Sequence, residues 1–181
     1  MDTAFAPDPL ALEQQVCFAL AVTNRAVLAV YRPLLEPLGL THPQYLVLLT
    51  LWDHAKSAAR SAATSTTDPA GPSPAPLAAK DIAATLQLDP ATLSPMLKRL
   101  ENMGLLARTR NPADERAIEV TLTDAGTELR DRALAIPFAV VDRLGVELAE
   151  LEHLRDVLNH INTAALNAGI LPASTDPEGQ P

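Results

Sequence analysis

The spacing of apolar residues predicts a mainly helical chain that begins with one long helix. Asp8 followed by Pro9 is typical of a helix start, with an N-cap residue ahead of proline at the first helical position. The apolar run behind them predicts helix to about Leu38, with a break near Pro33 and an end at Gly39.

A second helix is predicted after this stop, and it leads into a stretch of different composition. Thr41 and Gln44 have the spacing of a capping box and start the segment PQYLVLLTLWDHA. From 57 to 76 the chain is rich in Ala, Ser, Thr and Pro without a sustained apolar face, which predicts a flexible insertion. Residues 58–63 are able to extend the preceding helix by a turn or two. Such a long loop is uncommon in a compact domain. We assign it here because the segments on both sides have a clear pattern of apolar and polar positions.

Two short helices joined by a tight turn come next, which is the geometry of a helix-turn-helix. Asp89 is the expected N-cap of the second helix, with Pro90 at its first position and Gly104 at its end. The apolar positions of the two helices are Leu77, Ile82 and Leu86 in the first and Leu93, Leu97 and Leu100 in the second.

The apolar period then changes from helix to strand. LLARTR and the alternating AIEVTLT are joined by the polar NPADER, which predicts a β-hairpin. Helix resumes at TDAG with Thr123 as its cap, and Pro137 is expected to kink it. A last helix contains ELAELEHLRDVLNHINTAAL, and the tail PASTDPEGQP has the composition of a disordered segment.

These elements predict a mainly α fold with a small β-hairpin wing, a winged helix-turn-helix flanked by N- and C-terminal dimerisation helices. The predicted divisions are a disordered N-terminus (1–8), the N-terminal dimerisation helix and second helix (9–54), the flexible insertion (55–76), the winged helix-turn-helix (77–123), the C-terminal dimerisation helices (124–168) and a disordered tail (169–181). The flanking helices carry more apolar surface than one small domain needs, which indicates a homodimer that presents two recognition helices to palindromic double-stranded DNA.

Composition and charge narrow the classes of function. The N-terminus lacks the features of a signal peptide, and no apolar run reaches about 18 residues without a charge or proline, so we expect a cytoplasmic protein without a membrane span. A single cysteine excludes an internal disulfide. His54, His153 and His160 have no metal-ligand spacing, so no metal or other cofactor is expected. The net charge of −8 argues against nucleic-acid binding unless basic residues are clustered.

Basic residues are clustered on the second helix of the helix-turn-helix and on the hairpin. Early residues of such a helix face base edges, and residues one turn later contact phosphates. An arginine at the hairpin tip can enter the minor groove, and we expect Asp114 to hold the Arg116 guanidinium with a charge-assisted hydrogen bond. The predicted DNA-binding residues are Thr92, Ser94, Lys98, Arg99, Arg108, Arg110, Asp114 and Arg116.

Cys17 lies in the run LEQQVCFALAVTNRAVLAVYRPLL, which has the composition of a buried segment. A lone cysteine on an apolar helix face is usually a small buried hydrophobe. A cysteine that senses peroxide reacts as its thiolate, which requires access and a nearby hydrogen-bond donor or positive charge. Since the chain has no second cysteine, a sulfenic acid formed here has to react with a low-molecular-weight thiol or a backbone nitrogen, or be oxidised further.

The segment DPATLSPMLKRLENMGLLARTRNPADERAIEVTLTDAG resembles the MarR family of bacterial winged-helix regulators through LKRLE..GL..R, P.DER and LT.AG, in that order. QVCFAL, YRPLLEPLGLTHPQYLVLLTLW and LDPATLSPMLKRLE are similar to the OhrR-type branch of organic hydroperoxide-sensing repressors. The resemblance covers about Leu12 to Trp52 and Leu77 to Ile136.

The resemblance implies a function and a role for particular residues. Cys17 matches the peroxide-sensing cysteine, Tyr31 matches a tyrosine that hydrogen-bonds it, and Arg116 matches the wing arginine. Tyrosines expected at two further positions are replaced by Ala21 and His42, and His42 is placed near the thiol. The resemblance implies a dimeric DNA-binding repressor, not an enzyme, that loses operator binding when an organic hydroperoxide oxidises the cysteine. Its expected small-molecule partners are the peroxide and a low-molecular-weight thiol.

Two other functions stay open from the residues alone. The first is a regulator of the same family that binds a small aromatic or lipophilic ligand non-covalently, with Cys17 only structural. The second is a one-cysteine thiol peroxidase. The near-absence of strands outside the hairpin argues against a peroxidase, as does the lack of a recognisable resolving or activating set around Cys17.

Overall fold

The computed structural model describes residue 8, residues 10–64 and residues 76–170, with the side chains of 62–64 and 115 left out. Within these ranges it contains seven α-helices and one three-stranded antiparallel sheet. The helices are α1 (Val16–Leu35), α2 (His42–Thr64), α3 (Ala79–Thr85), α4 (Pro90–Asn102), α5 (Asp124–Ala133), α6 (Ile136–Leu144) and α7 (Leu148–Asn167). The strands are β1 (Leu77–Ala78), β2 (Leu106–Asn111) and β3 (Asp114–Leu122).

The long first helix begins later than its sequence predicts and is not broken where a break was expected. Asp8 caps only a local turn by accepting a hydrogen bond from the Leu10 amide at 2.9 Å, and a 3₁₀ turn at Leu12–Gln14 precedes α1. Leu10 and Leu12 are mostly exposed, so no burial holds this segment helical. Pro33 lies inside α1 only two residues before the end, where burial of Leu35 at 1% exposure holds the last turn.

The start of α2 confirms the predicted cap, and its end shortens the predicted insertion. The Gln44 Oε1 atom accepts hydrogen bonds from the Thr41 amide and hydroxyl, at 2.9 and 3.0 Å. The helix extension over 58–63 that the sequence left open is present, because α2 continues to Thr64 through an alanine-rich stretch that favours helix. The insertion predicted at 55–76 therefore begins later than expected. The remainder, 65–75, lies outside the described residues, as do residues 1–7 and 171–181 of the predicted terminal segments.

The helix-turn-helix consists of α3 and α4, and the wing has one strand more than its sequence predicts. Leu77 and Ala78 form β1 and pair with Val120 and Glu119 of β3, giving the strand order β1-β3-β2. Leu77 was expected in a helix, because a strand of two residues is too short to show an alternating pattern. The hairpin is also tighter than predicted, since β2 and β3 extend into NPADER.

Three helices follow the wing instead of the predicted two. Leu134 and Ala135 separate α5 from α6, and Pro137 lies in the first turn of α6. Proline is compatible with a first turn, where its missing amide has no intrahelical partner. The predicted kink is therefore a complete break, and α6 is free to pack against α1.

One continuous core joins α2, the helix-turn-helix, the sheet and α5–α6. The predicted apolar positions of α4 all lie in it, as do Tyr45 and Trp52 of α2. Trp52 connects two regions of the fold, because its indole Nε1 donates to the Gly126 carbonyl at 2.9 Å. This hydrogen bond ties α2 directly to the first turn of α5.

The first half of α1 and most of α7 stay outside this core. Every residue from Val16 to Ala26 is exposed, and α7 has no buried residue. The segment Val16–Leu38 is also long and apolar enough to cross a membrane by length and composition, with mean hydropathy 1.2 and 6% of the tested window buried. Arg25 and Arg32 interrupt its apolar run. These helices expose more apolar surface than a single copy covers.

Candidate DNA interface and redox site

The first turn of α4 carries the polar residues predicted to face DNA. Asp89 is the N-cap, and its Oδ1 accepts the Thr92 amide at 2.8 Å while its Oδ2 accepts the Thr92 hydroxyl at 2.6 Å. The Thr92 hydroxyl and amide hold the pKa of the Asp89 carboxyl below its usual value. Thr92 and Ser94 are both exposed. The cap directs the Thr92 proton to Asp89, so the Thr92 oxygen remains available as an acceptor.

Lys98 and Arg99 lie a turn further along α4 and are both exposed. Ser94 lines a cleft of about 360 Å³ between the helix-turn-helix and the wing, together with Lys80, Asp114 and Arg116. Arg99 instead lines a second cleft, on the α1 side of the lobe. Lys80 was missed from the sequence because it lies in α3, outside the basic cluster of α4 and the hairpin.

Arg108 forms an ion pair within the winged helix and also lines the cleft that contains Ser94. Its guanidinium forms an ion pair with the Glu101 carboxylate, with Nε donating at 3.0 Å. This hydrogen bond lowers the pKa of Glu101. Because Glu101 lies on α4 and Arg108 on β2, the pair fixes the wing against the recognition helix. The ion pair gives Arg108 a positioning role, and its contact with DNA stays a prediction.

The wing tip holds Arg110 and Arg116 exposed, as a DNA-contacting wing requires. Asp114 does not hold the Arg116 guanidinium, and this expectation is wrong. Its Oδ1 accepts the Arg116 backbone amide at 3.0 Å, and no ion pair joins these two residues. Asp114 thus shapes the tight turn, where the Asn111 side chain also accepts the Ala113 amide at 2.7 Å. The Arg116 side chain forms no ion pair with a described residue and lines the cleft beside Ser94.

Two of the three predicted redox residues are in contact. The Tyr31 ring meets the His42 ring edge-on, with centroids 4.8 Å apart, and lies 6.0 Å from the Tyr45 ring. Burial raises the pKa of Tyr31 and lowers the pKa of His42, so near neutral pH the phenol is protonated and the imidazole is neutral. Neither side chain hydrogen-bonds another described residue, so both hydrogen-bonding groups are available.

Cys17 lies apart from this pair within one chain. It is exposed on the first turn of α1, whereas the sequence suggested a buried position. Tyr31 lies fourteen residues further along the same unbroken helix, which corresponds to about 21 Å along the axis. A single copy therefore does not bring Cys17 to Tyr31 and His42.

The second cleft, called the arginine cleft below, has a volume of about 650 Å³ and was not predicted. Its cations are Arg25 and Arg32 of α1 and Arg99 of α4, and Glu36 is its one carboxylate. His42 lines its edge, so the cleft adjoins the Tyr31–His42 contact. The i, i+7 spacing of Arg25 and Arg32 places them on one helix face, but only the fold brings Arg99 to them.

Comparison with known proteins finds similarity over most of the chain. The profile of the SarA/Rot transcriptional regulators matches residues 29–133. The organic hydroperoxide resistance transcriptional regulator of Bacillus subtilis (strain 168) is 35% identical over 151 residues, covering 83% of this chain and 89% of that relative. The profile match runs from α1 to the end of α5 and includes the whole winged helix.

Two solved structures of DNA-binding or ligand-bound regulators share the fold. Reduced AbfR of Staphylococcus epidermidis bound to DNA is 30% identical, with a TM-score of 0.66, and the match covers 87% of this chain and 94% of that one. CouR from Rhodococcus jostii RHA1 bound to p-coumaroyl-CoA is 27% identical, with a TM-score of 0.65, over 84% of this chain and 94% of that one.

Proposed function

The chain belongs to the SarA/Rot-type winged-helix regulators of the MarR family, and we propose that it is a cytoplasmic repressor that releases its operator when an organic hydroperoxide oxidises Cys17. It is a DNA-binding transcriptional regulator, as its relatives are, and MarR-family regulators act as dimers. The observation that carries the redox proposal is the pair of available hydrogen-bonding groups on Tyr31 and His42, whose rings are in contact.

In a dimer, the second copy of the chain brings its own Tyr31 and His42 close to Cys17. The exposed apolar segment of α1 around Cys17 and the exposed leucines of α7 are surfaces for that copy to cover. Because Cys17 and Tyr31 are about 21 Å apart on one rigid helix, the tyrosine that meets Cys17 comes from the partner chain. Each dimer then has two equivalent sites, built from one protomer's Cys17 and its partner's Tyr31 and His42.

The chemistry assigned to this site is a two-electron oxidation of sulfur. The thiolate attacks the terminal peroxide oxygen, an S–O bond forms as the O–O bond breaks, and the alkoxide takes up a proton and leaves as the alcohol. Tyr31 and His42 each donate a hydrogen bond that stabilises the thiolate before attack. Cys17 is left as a sulfenic acid, which a low-molecular-weight thiol converts to a mixed disulfide with loss of water.

Oxidation reaches the DNA through helix packing. Tyr31 lies on α1 near Leu35, which is buried in the core that contains Leu93, Leu97 and Leu100 of α4. The oxidised Cys17 side chain is bulkier and more polar than the thiol. It pushes the partner's Tyr31 and His42 rings away and shifts the partner's α1. Because both recognition helices have to match half-sites one helical turn apart, a small change in their separation lowers operator affinity.

A gel shift on the upstream DNA of the gene itself tests this proposal. Reduced wild-type protein is expected to bind, and cumene hydroperoxide should lower its affinity by at least about tenfold, or 1.4 kcal/mol. Cys17→Ser protein should bind equally with and without peroxide, and the alcohol product serves as the matched control for both. Equal release of the Cys17→Ser protein by peroxide would refute thiol sensing.

A second candidate function is favoured by one comparison and one cavity. CouR is a structural neighbour bound to p-coumaroyl-CoA, and the arginine cleft has a volume within the range of small-molecule sites. On this alternative a non-covalent ligand controls DNA binding and Cys17 is structural. Such a ligand would raise the melting temperature of Cys17→Ser and wild-type protein alike.

A further inference from the structure

The arginine cleft combines unpaired positive charge with an apolar wall. Arg25, Arg32 and Arg99 form no ion pair with any carboxylate in the described parts of the chain, although all three line the same cavity. Arg25 is partly committed, because its Nε donates to the Ala21 carbonyl at 3.0 Å. With Glu36 as the one carboxylate, the cleft keeps an excess of positive charge, which favours an anionic ligand.

The apolar wall of the cleft suits a hydrocarbon chain. It is formed by Leu28, Ala29, Leu35 and Leu40, of which Leu35 is 1% and Leu40 is 6% exposed. Such a wall contributes affinity for an apolar group beside the charged end. A ligand with a carboxylate head and an apolar body therefore fits the lining better than a small inorganic anion or a neutral molecule.

The cleft opens beside the proposed redox site. His42 lines it, and the His42 ring is in edge contact with Tyr31. We propose that the arginine cleft binds the carboxylate of an amphipathic hydroperoxide and delivers its peroxide group to the partner's thiol at Tyr31 and His42. This inference rests on the proposed function and names the class of oxidant, a hydroperoxide that carries a carboxylate on an apolar chain.

The arginines act by binding and take no part in the redox step. A carboxylate accepts paired hydrogen bonds from a guanidinium, and such charge-assisted bonds are stronger than neutral ones. The peroxide is reduced to the hydroxy acid and Cys17 is oxidised to the sulfenic acid, so the carboxylate is unchanged throughout. Arg99 lies on α4, so a carboxylate bound between it and Arg25 or Arg32 also connects the dimerisation helix to the recognition helix.

Two peroxides that differ only at the carboxylate test this proposal. The rate of Cys17 oxidation is measured by intact mass after trapping the sulfenic acid, with oleic acid hydroperoxide, methyl oleate hydroperoxide and cumene hydroperoxide. Wild-type protein should react with the acid roughly 10- to 100-fold faster than with the ester at limiting peroxide, as expected for one charged hydrogen-bonded contact. The preference should decline as salt is raised.

The double variant Arg25→Gln, Arg32→Gln should lose this preference, so that the acid and the ester react at similar rates. Arg143→Gln, an exposed arginine on α6 outside the cleft, is the matched control and should keep the preference. Equal rates for acid and ester in wild type would overturn the inference while leaving the proposed function standing. Lack of oxidation by all three peroxides would instead refute the proposed function itself.

Two further results would assign the cleft to another ligand. If the double variant bound reduced operator more weakly with a smaller salt slope, and acid and ester reacted equally, the arginines would be phosphate contacts. If oleic acid itself released operator from Cys17→Ser protein, the cleft would hold a non-covalent effector. Either outcome overturns the delivery of a peroxide to Cys17.

Discussion

The start of α5 leaves no room for a side chain at Gly126. A Cβ atom there would lie 1.9 Å from the Leu105 carbonyl oxygen and 3.2 Å from a Leu122 methyl group. Gly126 also donates its amide to the Thr123 hydroxyl at 3.1 Å and accepts the Trp52 indole at 2.9 Å. The Thr123 hydroxyl in turn donates to the Gly104 carbonyl at 2.6 Å, just before the wing. Gly126 and its hydrogen-bond partners therefore connect α2, α5 and the start of the wing.

The substitution Gly126→Ala should therefore destabilise the protein strongly. Helix propensity alone would favour alanine by about 1 kcal/mol. Relief of the contact with Leu105 requires the α5 backbone to move, which weakens a cap contributing about 1 kcal/mol and leaves the buried Trp52 donor unpaired at a cost of about 1–3 kcal/mol. Overpacking adds about 1–3 kcal/mol. We expect a net loss of roughly 2–6 kcal/mol in the free energy of unfolding.

Urea unfolding at a fixed protein concentration measures this loss. With a slope of about 2 kcal/mol per molar, the midpoint should fall by about 1–3 M. Gly145→Ala is the matched control, because its Cβ meets nothing within 4 Å and its only cost is a left-handed backbone at φ +62°. That control should lose about 1–2 kcal/mol. A Gly126→Ala protein as stable as wild type, or more stable, would show that the close approach at Leu105 does not constrain the fold.

Two further predictions concern the wing and His42. Arg116→Gln should weaken operator binding across sequences and reduce the slope of log affinity against log salt by about one, measured by fluorescence anisotropy, whereas Arg155→Gln on α7 should leave the slope unchanged. Burial lowers the pKa of His42 from its usual 6.5 in the folded protein. Below pH 6.5 the unfolded chain therefore binds a proton at His42 more readily than the folded chain. Because of this difference, the protein loses stability as the pH falls toward the folded-state pKa. His42→Gln should flatten the decline in urea midpoint between pH 7 and pH 5, and an unchanged decline would show that His42 does not titrate differently on folding.

Local signals were enough to predict the helix-turn-helix and its caps. Asp89 caps α4 through Thr92, and Leu93, Leu97 and Leu100 are buried as their spacing predicts, because an N-cap and a helical apolar face depend on neighbours in the sequence. The errors occur where distant segments decide the outcome. Leu77 forms a strand only because Val120 is there to pair with it, and α1 begins at Val16, after a described segment whose Leu10 and Leu12 are mostly exposed.

For the charged residues too, the sequence predicted exposure but not the partners of the side chains. Residue type and position predicted an exposed Arg116 correctly, but not that Glu101 would neutralise Arg108 or that Asp114 would bond a backbone amide. A side-chain ion pair depends on the distance between two elements, and periodicity carries no information on that distance.

The sequence by itself determined the fold class, the order of the helix-turn-helix and wing, and the identity of the one thiol, since these follow from local periodicity, capping residues and composition. Only the tertiary structure decided which groups meet. It placed Tyr31 against His42, kept Cys17 about 21 Å away along an unbroken helix, and brought Arg99 of α4 to Arg25 and Arg32 of α1. Contacts between elements depend on packing around a shared core, and in this protein that core brings α1, α2 and α4 together at a single cleft.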